Sequence, residues 1–229
     1  MTFINLIMAS LIAVICGLDR TAALQLMLSR PIVAGPLAGL VLGEPLIGLQ
    51  VGMLVELLWL GRLPVGASIP PDDTQIAIGA TFLSVAFAAP DFSTPVTIVF
   101  CLLVTMPLAK SGQFFDRMAR RANNHLVKRV EQNVLTGDLS MIAKLHLAGI
   151  GHFALAALMT FVVVAGVGSL LCLILMPHFV FWLVAPVNWL QLTFILVGSA
   201  MILASINVNR ATTLFGASFV GSILMLWLL

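Results

Sequence analysis

Between positions 19 and 75 the chain gathers Asp19, Glu44, Gln50, Glu56, Asp72, Asp73 and Gln75 within otherwise apolar sequence. Carboxylates and amides of this kind accept and donate several hydrogen bonds at once, which suits a ligand rich in hydroxyl groups. Set in a mostly apolar, partly dehydrated pocket, they make a recognition site rather than a reaction centre. The adjacent pair Asp72-Asp73 raises intramembrane hydrolysis, but no nucleophile–base set or metal motif accompanies it. The histidines do not supply one either. His125 and His146 lie in a basic segment, and His152 and His178 in apolar runs, without the neighbours of a phosphohistidine or a general base. Cys16, Cys101 and Cys172 are far apart in apolar runs and read as small buried filler, not as a metal site or disulfide frame. The chain is therefore read as a non-enzyme without metal or cofactor.

The elements around these residues belong to a membrane. Hydrophobic residues make up 61% of the 229 positions and charged residues 9%, against roughly 45–50% and about 25% in soluble domains. Long continuous apolar runs exclude the alternating segments of about ten residues expected of a barrel. The formal net charge of +2 gives no sign of a nucleic-acid partner. An acid at mid-membrane costs on the order of 2.5–3.5 kcal/mol on insertion scales. The stretch 30–81 carries four acids, Arg62, and Pro31, Pro36, Pro45, Pro64, Pro70 and Pro71. Lipid tolerates such broken backbone only where protein or a watery cavity satisfies it. This stretch is expected to line a polar cavity.

In chain order, residues 3–17 form a first apolar helix with no basic residue before it, read as a retained membrane segment rather than a signal peptide. Asp19 or Thr21 then caps a second helix at 22–29, giving a kinked or re-entrant hairpin; Asp19 is either that cap or a site residue. In 33–43, Gly35, Gly39 and Gly43 recur every four residues and let another backbone approach. Gly48, Gly52 and Glu56 repeat the spacing after Glu44-Pro45, so Glu56 points along the glycine face, away from lipid. Residues 66–73 cannot be an ordinary span; 74–89 resumes as a helix and 94–109 spans. Residues 110–146 carry seven Lys or Arg against three acids, which places them in the cytoplasm by the positive-inside rule. Phe115, Met118, Ala122, Leu126, Val130 and Val134 give this segment an apolar stripe, for the membrane surface, a partner, or its own protein. Residues 147–205 hold two spans, divided near Pro177-His178 and Pro186–Asn188, and 211–229 a last helix.

Each polar residue keeps two readings. Glu56 and Asp72 bind or gate, or are structural acids, Glu56 pairing with Arg62 or capping a helix. Asp73 binds ligand or caps the helix after it. Glu44 binds or caps at the interface. Arg30 snorkels or pairs with an acid. Asn207, Asn209 and Arg210 end a positive-inside loop or form a gate.

The ordered run Arg30-Pro31-Ile32-Val33-Ala34-Gly35, Gly39 to Glu44, Gly48 through Gly52 to Glu56-Leu57, Leu60-Gly61, and Val65-Gly66-Ala67 to Pro71-Asp72 resembles the IIC membrane component of mannose/fructose/sorbose sugar phosphotransferase systems. Asn124-His125, Gly137-Asp138-Leu139 and His146 resemble its cytoplasmic connector, and Gly198 to Met201 a late helix. This chain departs from the pattern with Gly43-Glu44 where the family usually has Gly-Asp, with an earlier end than many relatives, and with its own spacing from Asp19 to Arg30.

The resemblance implies an all-α polytopic protein of transmembrane helices and broken, re-entrant hairpins, working as an elevator in the inner membrane. It implies a single IIC domain: a sugar-site region at 1–91, a span at 92–109, the connector at 110–146 and C-terminal spans at 147–229. A hexose would bind at Glu56, Asp72, Glu44, Asp73, Gln50 and Asp19. A IID partner would share transport, a IIB phosphocarrier would phosphorylate the sugar, and three IIC–IID pairs would assemble. An orphan or regulatory IIC-like chain and an ion-coupled carrier using the same acids are the alternatives.

Overall fold

The computed structural model describes residues 3–23, 25–61, 69–88, 92–135, 140–205 and 210–228. Nine helices account for nearly all of them: α1 (Phe3–Thr21), α2 (Pro31–Leu42), α3 (Pro45–Trp59), α4 (Asp73–Ala86), α5 (Thr94–Leu108), α6 (Lys110–Leu135), α7 (Ser140–Val184), α8 (Val187–Ser205) and α9 (Ala211–Leu228). No strand occurs among the described residues.

The centre is α4. Every residue from Thr74 to Ser84 is buried, because α1, α2, α3, α5 and α7 all pack around it. With 14 residues it is about 21 Å long, short of the ~30 Å hydrocarbon layer. Four helical stretches are long and apolar enough to cross a membrane: Phe3–Thr21, Thr94–Gln132, Met141–Val184 and Val187–Ala204.

Helices α2 and α3, of 12 and 15 residues, are also too short to span singly. They fold back on each other as a hairpin, and the glycine spacing explains how. A Cβ on Gly35, Gly39 or Gly48 would fall within 3.0 Å of backbone atoms of the opposite helix or of the turn between the two. Only hydrogen fits there, so the backbones touch. Gly43 makes the turn: it caps α2 at φ 82°, and its N–H returns to carbonyls of the last turn. Pro31 and Pro45 open the two helices, where a missing N–H costs nothing.

Two expectations need correction. Residues 22–29 are not a helix. Helix α1 runs on to Thr21, and the loop after it holds Gln25 and Met27 at positive φ, so Asp19 caps no second helix. Pro177-His178 does not divide the C-terminal spans: α7 passes through Pro177 unbroken for 45 residues, and the break falls only at Ala185-Pro186. A proline is tolerated where neighbouring helices re-satisfy the freed carbonyl. The apolar stripe of α6 lies against α7, the own-protein alternative among the readings its sequence left open. Met118 and Val134 drop out of it, each 51% exposed, while Gly112, Asp116, Ala119 and Asn123 join it. The pairing of α6 with α7 is antiparallel, and His152 Nδ1 meets Asn123 Oδ1 at 2.6 Å.

Candidate functional site

A cavity of about 520 Å³ opens where four pieces meet: the end of α1, the foot of the α2–α3 hairpin, the start of α4, and the facing walls of α6 and α7. Its volume falls in the ~300–1,000 Å³ range of small-molecule sites.

Two ion-pair centres line it from the hairpin side. Arg20, in the last turn of α1, places Nη1 2.6 Å from Asp72 Oδ1 and 2.9 Å from Asp73 Oδ1. Its Nη2 donates to the Pro71 carbonyl at 3.4 Å. Asp72 is also the N-cap of α4, accepting from the Gln75 N–H at 3.1 Å. That satisfies an orphan donor and sets the negative charge at the positive end of the helix. The second centre closes the foot of the hairpin. Arg30, just before α2, pairs with Glu56 near the end of α3, and Glu56 Oε2 accepts from the Ile32 N–H at 3.3 Å. Glu56 is thus tied to Arg30; Arg62, the partner considered from sequence, lies outside the described residues, as do Asn207 and Asn209.

The opposite wall comes from α6 and α7. Asp116 Oδ2 accepts from Arg120 Nε at 2.7 Å, and the Arg120 guanidinium sits 5.8 Å from the centre of the Phe153 ring. Ala156, Ala157 and Thr160 continue this wall, and Trp59 and Leu60 come from α3. Gly112 lets α6 approach: a Cβ there would fall within 3.0 Å of the Asp72 Cβ. Gln113 Nε2 donates to the Ile69 carbonyl at 2.7 Å, so the segment before α4 is strapped to α6 as well as to α1.

Of the residues singled out from sequence, Glu56, Asp72 and Asp73 come together in the cavity. Asp19 lies beside it in a different role. It is 4% exposed, and its carboxylate accepts from Leu26 N–H at 2.6 Å and Ser29 N–H at 3.0 Å. It therefore holds the loop that Thr74 Oγ1 binds from α4, through the Ser29 carbonyl at 2.6 Å. Glu44 and Gln50 are exposed and line no part of the cavity. Glu44 stands at the hairpin tip, about 18 Å along α3 from Glu56. Gln75 is fully buried beneath the site and donates to the Ala13 carbonyl at 2.9 Å. Sequence reasoning missed Arg20, Asp116, Arg120 and Phe153. Arg20 had one signal: it is the first cation after an apolar run, two residues before no helix that needed it. The other three had none: Asp116 and Arg120 sat in a segment read as a connector, and Phe153 in an apolar run read as a span. No cluster of three or more metal-ligating side chains occurs among the described residues.

A multi-pass helical membrane protein, with a re-entrant glycine-packed hairpin whose foot opens on a carboxylate-lined cavity, is the class this architecture defines. Comparison with known proteins makes that specific. The model of the PTS system sorbose-specific IIC component family matches residues 3–227, and the chain belongs to that family. It is 40% identical over 101 residues to the putative N-acetylgalactosamine permease IIC component 2 of Escherichia coli K12, covering 42% of this chain and 72% of that one. It is 24% identical over 164 residues to the mannose-specific EIIC component of the same strain, covering 72% of this chain but 59% of the relative. The fructose permease IIC component of Bacillus subtilis is 27% identical, covering 72% of this chain and 58% of its own length. The fold matches a solved membrane protein with a TM-score of 0.69, and the mannose transporter ManYZ in complex with microcin E492 with 0.61, each at 23% identity over 97% of this chain and 87% of theirs.

Proposed function

We propose that this chain is the sugar-translocating IIC subunit of a phosphotransferase permease, and that the cavity beside Glu56, Asp72 and Asp73 receives the sugar. The observation that carries this is the cavity itself: paired carboxylates and arginines beside Trp59 and Phe153, at the foot of a hairpin too short to span. Such groups hydrogen-bond hydroxyls, while aromatic faces cover the apolar side of a sugar ring. Relatives named for mannose, fructose, sorbose and N-acetylgalactosamine set the candidate range.

In this reading the protein sits in the inner membrane, with 110–146 on the cytoplasmic side. A IID subunit shares transport, in a trimer of IIC–IID pairs, and a IIB phosphocarrier phosphorylates the sugar. The region 1–91 carries the sugar across as an elevator, moving past the later spans. Glu44, where the chain departs from the family's usual Gly-Asp, stands at the hairpin tip away from the cavity, so that departure leaves the cavity lining untouched. Cells expressing the chain with and without its IIB and IID partners test the proposal, given each of the four sugars. Accumulation of sugar phosphate only with partners supports it. No uptake with any partner, despite correct insertion, contradicts it.

A further inference from the structure

Helix α6 has a second face, turned away from α7 and the cavity. Lys110, Phe114, Arg117, Arg121 and Lys128 follow one another at steps of four, three, four and seven residues, so they share one side of the helix, with Met118 and His125 at its edge. All seven are exposed. Four of them are basic, and among the described residues no carboxylate pairs with any of the four. The acids of α6 lie elsewhere: Asp116 turns to the cavity and is held by Arg120, and Glu131 stands near the far end.

Three observations say what covers this face. The first is its mixed chemistry. Phe114 is 56% and Met118 51% exposed between the cations, and large apolar side chains among Lys and Arg suit the boundary between headgroups and acyl chains. The second is its level. Only Ala109 separates α6 from α5, whose apolar run is long enough to span, and the stretch of α7 beside α6 exposes Leu147 and Leu155. The third is its length. Lys110 and Lys128 stand about 27 Å apart along the axis, a row that one small soluble anion cannot bridge but a row of lipid headgroups can.

We propose that the outer face of α6 is a binding surface for anionic lipid headgroups, with Lys110, Arg117, Arg121 and Lys128 meeting the phosphates and Phe114 and Met118 entering the acyl layer. Anionic lipids gather at such basic clusters and leave them as salt screens the attraction. The site is separate from the cavity on the other side of the helix and does not depend on which sugar, if any, the cavity takes.

The test uses the full chain reconstituted with its IID partner in phosphatidylcholine vesicles containing about 20% phosphatidylglycerol. A fluorophore is attached at His125→Cys, on the basic face; the chain's own Cys16, Cys101 and Cys172 are buried. Phosphatidylglycerol with a spin label high on its acyl chain should quench it about threefold or more better than phosphatidylcholine labelled at the same carbon. Raising salt from about 0.05 to 0.5 M should bring the two lipids close to parity in the unaltered face, with no substitution that could disturb folding. In Arg117→Gln/Arg121→Gln/Lys128→Gln the preference should vanish at low salt, while Arg117→Lys/Arg121→Lys, which keeps the charge, and Lys144→Gln, off this face, should retain it. Equal quenching by both lipids at low salt would overturn the proposal, as would a preference that survives the triple substitution. A fluorophore that neither lipid quenches would overturn it too, by showing this face covered by protein.

Discussion

The two ends of one hairpin carry one acid each, and they differ in every respect that matters. At the foot, Glu56 has 13% of its side chain exposed, is paired with Arg30, accepts a backbone N–H from α2 and faces a cavity. At the tip, Glu44 is exposed, makes no side-chain cap for α3 and lines nothing. Both precede or follow a glycine face, and both stand in the stretch that carries the family resemblance, Glu44 as a departure from its usual Gly-Asp. What separates them is tertiary: α1, α4, α6 and α7 converge on the foot and leave the tip bare. An acid in this membrane protein is worth attention when other elements bring it a counter-charge, not because it sits near a conspicuous turn.

Changes to the hairpin's own packing should have the largest effect on the contrast between its ends, because both ends depend on it. In Gly48→Val the new side chain meets backbone of Gly35, which cannot yield. Overpacking of this kind costs about 1–3 kcal/mol or more, and the detergent-solubilised protein should lose most of its monodisperse fraction on size exclusion. Next comes Arg20→Gln, which leaves Asp72 and Asp73 side by side without their cation. A part-buried pair broken from one side costs on the order of 2 kcal/mol, so the melting temperature should fall by several degrees while insertion persists. Glu56→Gln sharpens the comparison at the level of function. Sugar uptake should fall by about tenfold or more, as expected when a charged hydrogen-bond partner is lost from a binding site. Its counterparts at the tip, Glu44→Gln and Gln50→Ala, should leave uptake within about twofold of wild type, the usual reach of an exposed substitution. At the small end, Gly166→Ala lies in open space within α7. It should raise stability by about 0.5–1 kcal/mol, the opposite sign to Gly48→Val. A destabilised Gly166→Ala would mean that this face is covered in the assembly.

Much of the hairpin was legible in the sequence because its causes are local. Glycines four apart, prolines at helix starts and an acid in phase with the glycines fix one helix face whatever surrounds them. Arg30 was read as snorkelling or pairing with an acid, but which cation meets which acid was not legible. Arg20 lies 52 residues before Asp72, and no periodicity links two positions so far apart. Asp116 and Arg120 were hidden for a related reason: a basic, amphipathic stretch reads the same whether its inner face meets lipid, a partner or α7. The loop at 22–29 failed because its order comes from the Asp19 carboxylate gripping Leu26 and Ser29, which overrides helix propensity and stabilises positive φ at Gln25 and Met27. Pro177 misled because breaking power measured in water weakens where neighbours pack along a long helix.

The central claim is that the cavity at the hairpin foot, and not the tip, receives the sugar. Thiol protection tests it most directly. Cys16, Cys101 and Cys172 are fully buried, so a cysteine introduced at Ala156 on the cavity wall or at Leu46 near the tip should dominate labelling by a membrane-impermeant maleimide. In membranes containing the chain and its IID partner, the transported sugar should slow labelling of Ala156→Cys several-fold and leave Leu46→Cys unchanged. Protection at Leu46→Cys with none at Ala156→Cys would contradict the account.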